Sequence, residues 1–302
     1  MSDQGRVLIA GGTGFVGRAL AAQLNRSGYA ITVLGRNAEK AQKLLPFADV
    51  LSWSELDSYK GAFDAIVNLA GASIAGGRWT RAKKERLESS RIQTAQALVA
   101  YCQNAVSPPK VFINASAIGF YGSHGNSVIT EKTPPKPCFS HRLCHNWEQT
   151  LTPLKEATAI RLCIARLGVV LAPKGGAFAQ MALPFKAKVA LQNGDGQQWF
   201  SWVALEDVVT ALQWMLENEL ACHVYNVTSP EPVKNSEFTK HLANKYETKL
   251  SATMPAKLLQ LMLGEMADEL ILASQRVVPD QLLEEGFRFN YVSLDELLAS
   301  WE

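Results

Sequence analysis

The sequence predicts an α/β fold built on a doubly wound parallel sheet. Short β-branched runs alternate with segments of helical periodicity over the first 170 residues, and glycines directly follow the first run. Strands that alternate with helices form βαβ units, whose right-handed crossovers cover both faces of a parallel sheet. Beyond residue 170 the alternation weakens, and from residue 230 the chain has mostly helical character. We therefore expect a smaller, mostly helical C-terminal lobe beside the sheet.

The predicted elements begin almost at the N-terminus. The run RVLIAGG (6–12) is a β-branched strand, and the next segment (15–29) places Val16, Leu20 and Leu24 on one helical stripe. Further strands are expected at 30–36, 63–71, 110–117, 163–171 and 224–229, and further helices at 37–45 and 83–103.

The charge pattern excludes two classes of partner. The 302 residues carry 30 basic and 28 acidic side chains, a net charge of +2, and they are 47% hydrophobic. Nucleic acids and membrane surfaces are normally bound by concentrated positive charge, whereas the densest basic run here is RAKKER (81–86). A solvated helix face explains that run, so we expect neither nucleic acid nor membrane as a partner.

Cysteine usage and hydropathy predict the compartment. The five cysteines are an odd number without a CxxC pair, which is typical of reduced thiols. The N-terminus lacks the pattern of a signal peptide, and no apolar run approaches the ~18 residues of a membrane span. We expect a cytoplasmic protein.

The first predicted strand ends in a glycine-rich turn, GGTGFVG (11–17). Its glycines have the GxxGxxG spacing, directly after a strand and directly before a helix. Such a turn lets a pyrophosphate approach the backbone, and the N–H groups at the helix start carry partial positive charge toward it. The turn predicts a Rossmann-type dinucleotide site, with a purely structural turn as the alternative. The residues predicted to bind the cofactor here are Gly11, Thr13, Gly14, Phe15, Val16 and Gly17.

The end of the second strand selects the cofactor. An acidic residue about 20 positions after the glycines would bind the ribose 2′-hydroxyl of NAD, whereas an arginine suits the 2′-phosphate of NADP. Here the strand ends in Gly35 and Arg36, with no Asp or Glu in that slot. A guanidinium binds phosphate in a bidentate manner, so we predict NADP(H) in preference to NAD(H), held in part by these two residues. A solvated loop arginine is the alternative.

Further motifs extend along nearly the whole chain in family order. They are Asn68-Leu69-Ala70-Gly71, GGRW, SSRIQT, SAIGFYG, NWE, RLGVVL, GDGQQWFSWVALEDVV and RVVPDQLLEEGFRF. With the glycine turn, they resemble the extended branch of the short-chain dehydrogenase/reductase superfamily, the NAD(P)-dependent epimerase/dehydratase family, and within it the YfcH-like epimerase-family proteins. We accordingly expect an NADP-binding Rossmann domain at 1–170, with its sheet completed by roughly 203–229. A substrate lobe with a family-specific C-terminal domain would comprise 171–202 and 230–302.

The resemblance also implies further cofactor contacts. The Asn-Leu-Ala-Gly segment (68–71) would line the adenosine and ribose side. Arg91 would lie beside the cofactor and could meet a phosphate, with a helix-surface arginine paired with a neighbouring glutamate as the alternative. Gly168 and Val169 would lie near the nicotinamide ring.

The usual catalytic pair is absent. Typical members of the superfamily use Tyr-x-x-x-Lys on a helix, where tyrosine is the acid/base and lysine lowers its pKa and holds the nicotinamide ribose. In the extended branch a glutamate commonly follows eight residues after the tyrosine. With Glu148 as that glutamate, the tyrosine slot falls on Ser140 and the lysine slot on Cys144.

The stretch around these slots, CFSHRLCHNWEQ (138–149), has two alternative interpretations. His141 and His145 could ligate a metal with Glu148 or Cys144, but the HExxH pattern is absent and we predict no metal. A Cys–His nucleophile would need a thiolate-stabilising field and a third orienting group. Helical spacing instead places Cys144 on the buried apolar side, as a small hydrophobe.

Two residues are left as candidates for proton transfer. Ser116 follows a strand and fits the serine slot, although alignment on Tyr121-Gly122 would put Ala117 there. Tyr121 is the best available phenol donor, with a buried structural tyrosine as the alternative. We predict catalytic roles for Ser116 and Tyr121.

The substrate side also departs from the family. Many extended enzymes have an arginine for a nucleotide-sugar diphosphate where this chain has Trp199 and Phe200. This favours a smaller or less anionic substrate, stacked on Trp199, Phe200 or Trp202, unless these aromatics form core between the lobes. Two functions stay open: an NADP-dependent oxidoreductase or epimerase-like enzyme acting on a small molecule, or a non-catalytic NADP(H)-binding sensor or regulatory protein. A homodimer is a further expectation.

Overall fold

The computed structural model describes residues 4–56, 58–156 and 159–301. Its strands are β1 (Arg6–Ala10), β2 (Ala30–Gly35), β3 (Asp49–Ser52), β4 (Ala65–Asn68), β5 (Val111–Ala117), β6 (Val128–Ile129), β7 (Arg161–Leu167), β8 (Val169–Leu171), β9 (Val189–Asn193), β10 (Trp199–Phe200), β11 (Trp202–Ala204), β12 (Val224–Val227), β13 (Val233–Lys234), β14 (Leu250–Met254) and β15 (Arg276–Val277). Its helices are α1 (Phe15–Arg26), α2 (Ala38–Leu44), α3 (Trp53–Leu56), α4 (Arg81–Asn104), α5 (Phe139–Gln149), α6 (Thr152–Glu156), α7 (Phe178–Met181), α8 (Leu183–Lys186), α9 (Leu205–Glu217), α10 (Asn235–Lys245), α11 (Ala256–Leu263), α12 (Asp280–Glu284) and α13 (Leu294–Ala299). A 3₁₀ turn spans Ile118–Tyr121 and a π-helical turn spans Ala267–Ile271.

Seven parallel strands form the central sheet, in the order β3-β2-β1-β4-β5-β7-β12. In β1, Val7 lies opposite Ile31 of β2 on one side and Ala65 of β4 on the other. The chain runs outward from β1 to β3 in one direction and from β4 to β12 in the other. This is the doubly wound arrangement, so the predicted α/β, Rossmann-type fold is confirmed.

Helices bury both faces of the sheet. Successive strand residues point to opposite faces, and in β1 Val7 packs in one core cluster with Leu20 of α1 and Leu212 of α9. Its neighbour Leu8 packs on the other face in a second cluster, with Leu98 of α4. Each such side chain contributes about 1.5–3 kcal/mol when fully buried, so the two layers hold the strand ends, and the loops that follow them, in place.

One strand of the sheet was not predicted. β3 pairs with β2 at the sheet edge, and Leu51 alone of its four residues is buried. A run this short and this exposed shows no readable alternation of polar and apolar residues. Conversely, the strand predicted at 63–71 ends at Asn68, because the backbone turns there into a loop above the sheet edge.

The chain after β7 packs beside the carboxyl ends of the strands. Short ladders pair β8 with β11, β9 with β14, and β10 with β13, around a separate core that includes Phe178, Trp202 and Phe238. β15 pairs with β6, which links the C-terminal segment to the sheet half of the molecule. The boundaries expected between the two domains stay a prediction.

Candidate functional site

The loop between β1 and α1 forms an open cradle of backbone N–H groups. Gly11 has a φ of +80°, and a Cβ there would lie 2.8 Å from the Leu69 backbone. A Cβ on Gly17 would overlap the Gly11 carbonyl oxygen, so the turn can close this tightly only with glycine at both positions. Gly14 is the exposed N-cap of α1 and has no side chain to bond the first-turn N–H groups. These N–H groups are free to receive an anion.

Other residues of the turn connect the two halves of the molecule. A Cβ on Gly175 or Gly176 would lie within 3.0 Å of the Phe15 ring, so this ring packs closely against the loop after β8. Thr13 and Val16 are partly exposed on the same turn.

The loop after β4 forms the second wall of the cleft. Asn68 is fully buried, and its side-chain nitrogen donates to Asn114 Oδ1 at 2.7 Å. Its own Oδ1 accepts from the Ala70 N–H at 3.2 Å, which fixes the 68–71 segment against Gly11. In doubly wound sheets, ligands bind outside the carboxyl ends of the strands where the strand order reverses, here between β1 and β4.

The end of β2 is open to solvent. Nothing lies within 4 Å of a Cβ placed on Gly35, and Arg36 is exposed. The next residue, Asn37, caps α2 by accepting from the Lys40 N–H at 2.8 Å. Arg36 is thus an accessible cation beside the carboxyl end of β2.

Gly168 and Val169 lie where β7 and β12 end. A Cβ on Gly168 would lie 2.9 Å from both the Ser201 carbonyl oxygen and Thr228 Cγ2. The Gly168 N–H donates to the Val227 carbonyl at 3.0 Å, and the Val169 N–H donates to that of Ser201 at 3.0 Å. The backbone of this segment is therefore held rigidly at the cleft.

Arg91 reaches the same region from α4. Its guanidinium carbon lies 5.3 Å from the centre of the Trp147 ring, and a Cβ on Gly71 would lie 3.1 Å from it. Arg91 therefore borders the 68–71 segment, and its contact with a cofactor stays a prediction.

The two slots of the missing Tyr–Lys pair are buried on α5. Ser140 is 2% exposed, lies against Gly119, and its hydroxyl has no hydrogen-bond partner among the described residues. Cys144 Sγ lies 3.7 Å from the Ala117 carbonyl oxygen. Burial raises the pKa of the Cys144 thiol to about 11, so the thiol is protonated at neutral pH. This placement agrees with the interpretation of Cys144 as a small buried hydrophobe.

A buried polar network connects α5 to the sheet. Glu148 and Arg166 form a bidentate ion pair, at 2.7 Å from Nη2 to Oε2 and 3.0 Å from Nε to Oε1. The Ser116 hydroxyl donates to Glu148 Oε1 at 2.6 Å. Arg166 Nη1 donates to the Tyr121 hydroxyl at 2.9 Å, and that hydroxyl donates to Asn226 Oδ1 at 2.8 Å. All five side chains are buried and satisfy one another.

The network limits what Ser116 and Tyr121 can do as they stand. Tyr121 is 0% exposed and its hydroxyl already both donates and accepts. Burial raises the pKa of Tyr121 to about 12, although the Arg166 cation opposes the change. Either hydroxyl could reach a substrate only if the network opened first. Their catalytic roles stay a prediction.

Sequence reasoning missed Arg166 and Asn226. A signal for Arg166 was present, since it lies in the otherwise apolar run CIARL (163–167), and a buried strand tolerates arginine only beside an acidic partner. Nothing in the sequence indicates that Asn226 is connected to Arg166 through the Tyr121 hydroxyl.

The C-terminal lobe covers the start of α5. Glu269, in the π-helical turn, accepts from the N–H groups of Phe139 at 3.0 Å and of Ser140 at 2.7 Å. Met266 packs in one cluster with Trp79 and Phe139. The tyrosine slot is therefore enclosed by a carboxylate and apolar side chains from a distant part of the chain.

The three candidate stacking residues lie in different environments. Trp202 is fully buried in the C-terminal core, and the Phe200 ring packs 4.6 Å from that of Phe238. Trp199 is partly exposed, and the guanidinium carbon of Arg276 lies 4.4 Å from its ring centre. Phe200 is also partly exposed, so Trp199 and Phe200, but not Trp202, could contact a ligand.

A cavity of about 1070 Å³ lies near the amino ends of β1, β4 and β5, at the sheet edge opposite the cleft. His141 Nδ1 bonds the Phe120 carbonyl oxygen at 2.8 Å, and no group of three His, Cys, Asp or Glu in the described ranges could hold a metal ion. None of the helices within those ranges has the length and apolar character needed to cross a membrane.

Two family models match this chain. The model of the NAD dependent epimerase/dehydratase family matches residues 7–228. The chain belongs to this family. A second model, for a domain of unknown function (DUF1731), matches residues 254–301. The family membership expected from the motifs is confirmed.

Proteins of similar length resemble this chain over nearly its whole length. Epimerase family protein YfhF of Bacillus subtilis is 36% identical over 297 residues, 97% of this chain and 96% of that protein. The chloroplastic epimerase family protein SDR39U1 homolog of Arabidopsis thaliana is 33% identical over 99% of this chain and 87% of its own length. The crystal structure of human epimerase family protein SDR39U1 (isoform 2) with NADPH superposes with a TM-score of 0.89, at 28% identity over 98% of both chains.

Proposed function

We propose that this chain is an NADP(H)-dependent oxidoreductase or epimerase-like enzyme that acts on a small molecule. The observation that carries the proposal is the cradle of free N–H groups between β1 and α1, with the exposed Arg36 at the end of the adjacent strand. The human relative with NADPH in its crystal structure supports the choice of cofactor. A cytoplasmic location and a homodimer stay predictions.

The residues at the cleft fit a dinucleotide. The first-turn N–H groups of α1 would hold the pyrophosphate, and the exposed N-cap Gly14 has no side chain to block its approach. Gly11 and Gly17 allow the turn to close against the neighbouring backbone. Arg36 would bind the 2′-phosphate in a bidentate manner. Gly168 and Val169 would border the nicotinamide ring. NADP(H), when bound, supplies or accepts a hydride at that ring.

The substrate must also gain or lose a proton when the hydride is transferred, and a group other than the absent tyrosine has to donate or accept it. Ser140 is too short and too enclosed to replace the absent tyrosine, and Cys144 holds its own proton. We propose that the proton donor or acceptor is a bound water, a ribose hydroxyl, or the hydroxyl of Ser116 or Tyr121 after the buried network opens. Trp199 would contribute a stacking surface to the substrate.

Cofactor titration tests the proposal. NADPH should bind more tightly than NADH, by roughly 10- to 100-fold, because hydrogen bonds to charged groups contribute about 1.5–3 kcal/mol. Arg36→Ala should erase that preference, while Arg288→Ala, which removes an exposed arginine of the C-terminal lobe, should preserve it. Equal affinities for the two cofactors in the wild type would contradict the NADP(H) assignment.

One observation favours a second function, a non-catalytic NADP(H)-binding sensor or regulatory protein. Both slots of the usual catalytic pair hold buried residues that cannot exchange a proton as they stand. NADPH deuterated at nicotinamide C4, incubated with the protein and a metabolite extract, separates the two functions. Deuterium transferred to a small molecule indicates an enzyme, and tight binding without any transfer indicates a sensor.

A further inference from the structure

Arg91 has no acidic partner among the described residues. Its acidic neighbours on α4 are engaged elsewhere: Glu85 pairs with Arg81 at 2.9 Å, and Glu88 lies 3.5 Å from Arg142. The surface ion pair considered from the sequence is therefore not formed. A cation that is neither paired nor fully solvated needs another explanation.

The guanidinium of Arg91 retains unused donors. Its hydrogen bond within the described chain runs from Nη1 to the Leu87 carbonyl oxygen, at 3.0 Å. A guanidinium has five N–H groups, so most of them are available to a ligand. Desolvation lowers the pKa of Arg91, and a ligand that accepts hydrogen bonds would compensate for the lost water.

This cation lies near the lysine slot of α5, which Cys144 occupies. Arg91 stacks on Trp147, three residues after Cys144 on α5, and its charge partly offsets the effect of burial on the pKa of the Cys144 thiol. Gly71 gives it room, since a Cβ there would lie 3.1 Å from the guanidinium carbon. The side chain thus extends from α4 between the 68–71 loop and α5.

We propose that Arg91 supplies, from α4, the cation that α5 lacks at its lysine slot, and that it donates hydrogen bonds to the hydroxyls of the nicotinamide ribose of NADP(H). The inference rests on the proposed function. The 2′-phosphate is assigned to Arg36 and the pyrophosphate to the start of α1, which leaves the nicotinamide ribose as the cofactor group without a partner. Arg91 is then a cofactor-binding residue on α4 that takes the place of the lysine missing from α5.

Two ligands distinguish this position from a phosphate contact. NADPH contains the nicotinamide ribose, whereas adenosine 2′,5′-bisphosphate contains the adenosine half alone. Arg91→Met should weaken NADPH by about tenfold or more and leave the bisphosphate unchanged. Arg81→Met removes an exposed arginine of the same helix and should change neither affinity.

Restoring the charge should restore binding. Arg91→Lys should recover most of the NADPH affinity, and the double variant Arg91→Met/Cys144→Lys should recover part of it from the original slot. If Arg91→Met does not fold, Arg91→Lys is compared with Arg91→Gln. The proposal is supported if Arg91→Lys retains NADPH affinity and Arg91→Gln loses it. Equal NADPH affinity of the two variants overturns it.

The NADPH affinities of wild type and Arg91→Met distinguish a failure of the proposed function from a failure of the Arg91 assignment. A wild type that does not bind NADPH would refute the proposed function. A wild type that binds NADPH, with an Arg91→Met variant that binds it equally well or loses both ligands equally, would overturn the assignment of Arg91 alone.

Discussion

Single residues determine how closely the backbone packs at the cleft. Gly11 and Gly17 lie where any side chain would strike the neighbouring backbone, whereas Gly35 lies in open space. The three glycines look alike in sequence, and only the packing of the β1–α1 turn against the 68–71 loop shows which of them the fold requires.

Gly17→Ala should lower both stability and cofactor affinity. The added methyl group would overlap the Gly11 carbonyl oxygen and push α1 away from the turn, at a cost of about 1–3 kcal/mol. Thermal unfolding and NADPH titration would measure the two effects. Gly35→Ala is the matched control and should leave the melting temperature unchanged; a Gly17→Ala variant as stable as this control would show that the turn is looser than described.

At the scale of elements, the ion pair between Glu148 and Arg166 fastens α5 to β7. Both charges are buried, and each depends on the other for its lost hydration. Sequence reasoning placed Glu148 on α5 by its spacing. Its partner lies 18 residues away on another element, and only the docking of that helix on the sheet brings the two together.

Arg166→Met should destabilise the fold by about 3–5 kcal/mol, because it leaves the Glu148 carboxylate buried without a cation. Denaturant unfolding measures the loss. The double variant Glu148→Gln/Arg166→Met removes both charges and should regain a substantial part of the stability. A single variant that loses less than about 1 kcal/mol would contradict the buried pair.

The whole molecule depends on contacts between its two halves. Asp207, at the start of α9, is fully buried, and its carboxylate accepts from the Asn290 N–H at 2.6 Å, the Asn290 side-chain nitrogen at 2.8 Å and the Tyr291 N–H at 3.1 Å. It thereby binds the C-terminal lobe to the helix that follows β11.

Asp207 should make stability depend on pH. Burial raises the pKa of this carboxyl, although the bonds from Asn290 and Tyr291 oppose the rise. A group whose pKa is higher in the folded state stabilises most below its unfolded pKa, about 3.9, and that contribution is lost as the pH rises through the folded value. Between pH 4 and neutrality, the free energy of unfolding of wild type should therefore fall relative to that of Asp207→Asn. Urea unfolding across this range checks the slope. Glu219→Gln, at an exposed carboxylate of the loop after α9, should retain the wild-type slope. Parallel curves for wild type and Asp207→Asn would count against the assignment.

The sheet and the dinucleotide turn could be predicted because they depend on local pattern. Buried parallel strands are continuous apolar runs, and the glycine spacing lies within a single βα turn. The closure of the site could not be predicted, since it depends on long-range packing. Glu269 caps a helix about 130 residues earlier in the chain, and Arg91 reaches α5 from another helix.

A crystal structure of the protein with NADPH tests the central claim most directly. We expect the pyrophosphate at the start of α1, the 2′-phosphate on Arg36 and the nicotinamide ribose within hydrogen-bond distance of Arg91. A nucleotide bound instead in the cavity at the amino ends of the strands, or a cleft that stays empty at saturating NADPH, would contradict the account.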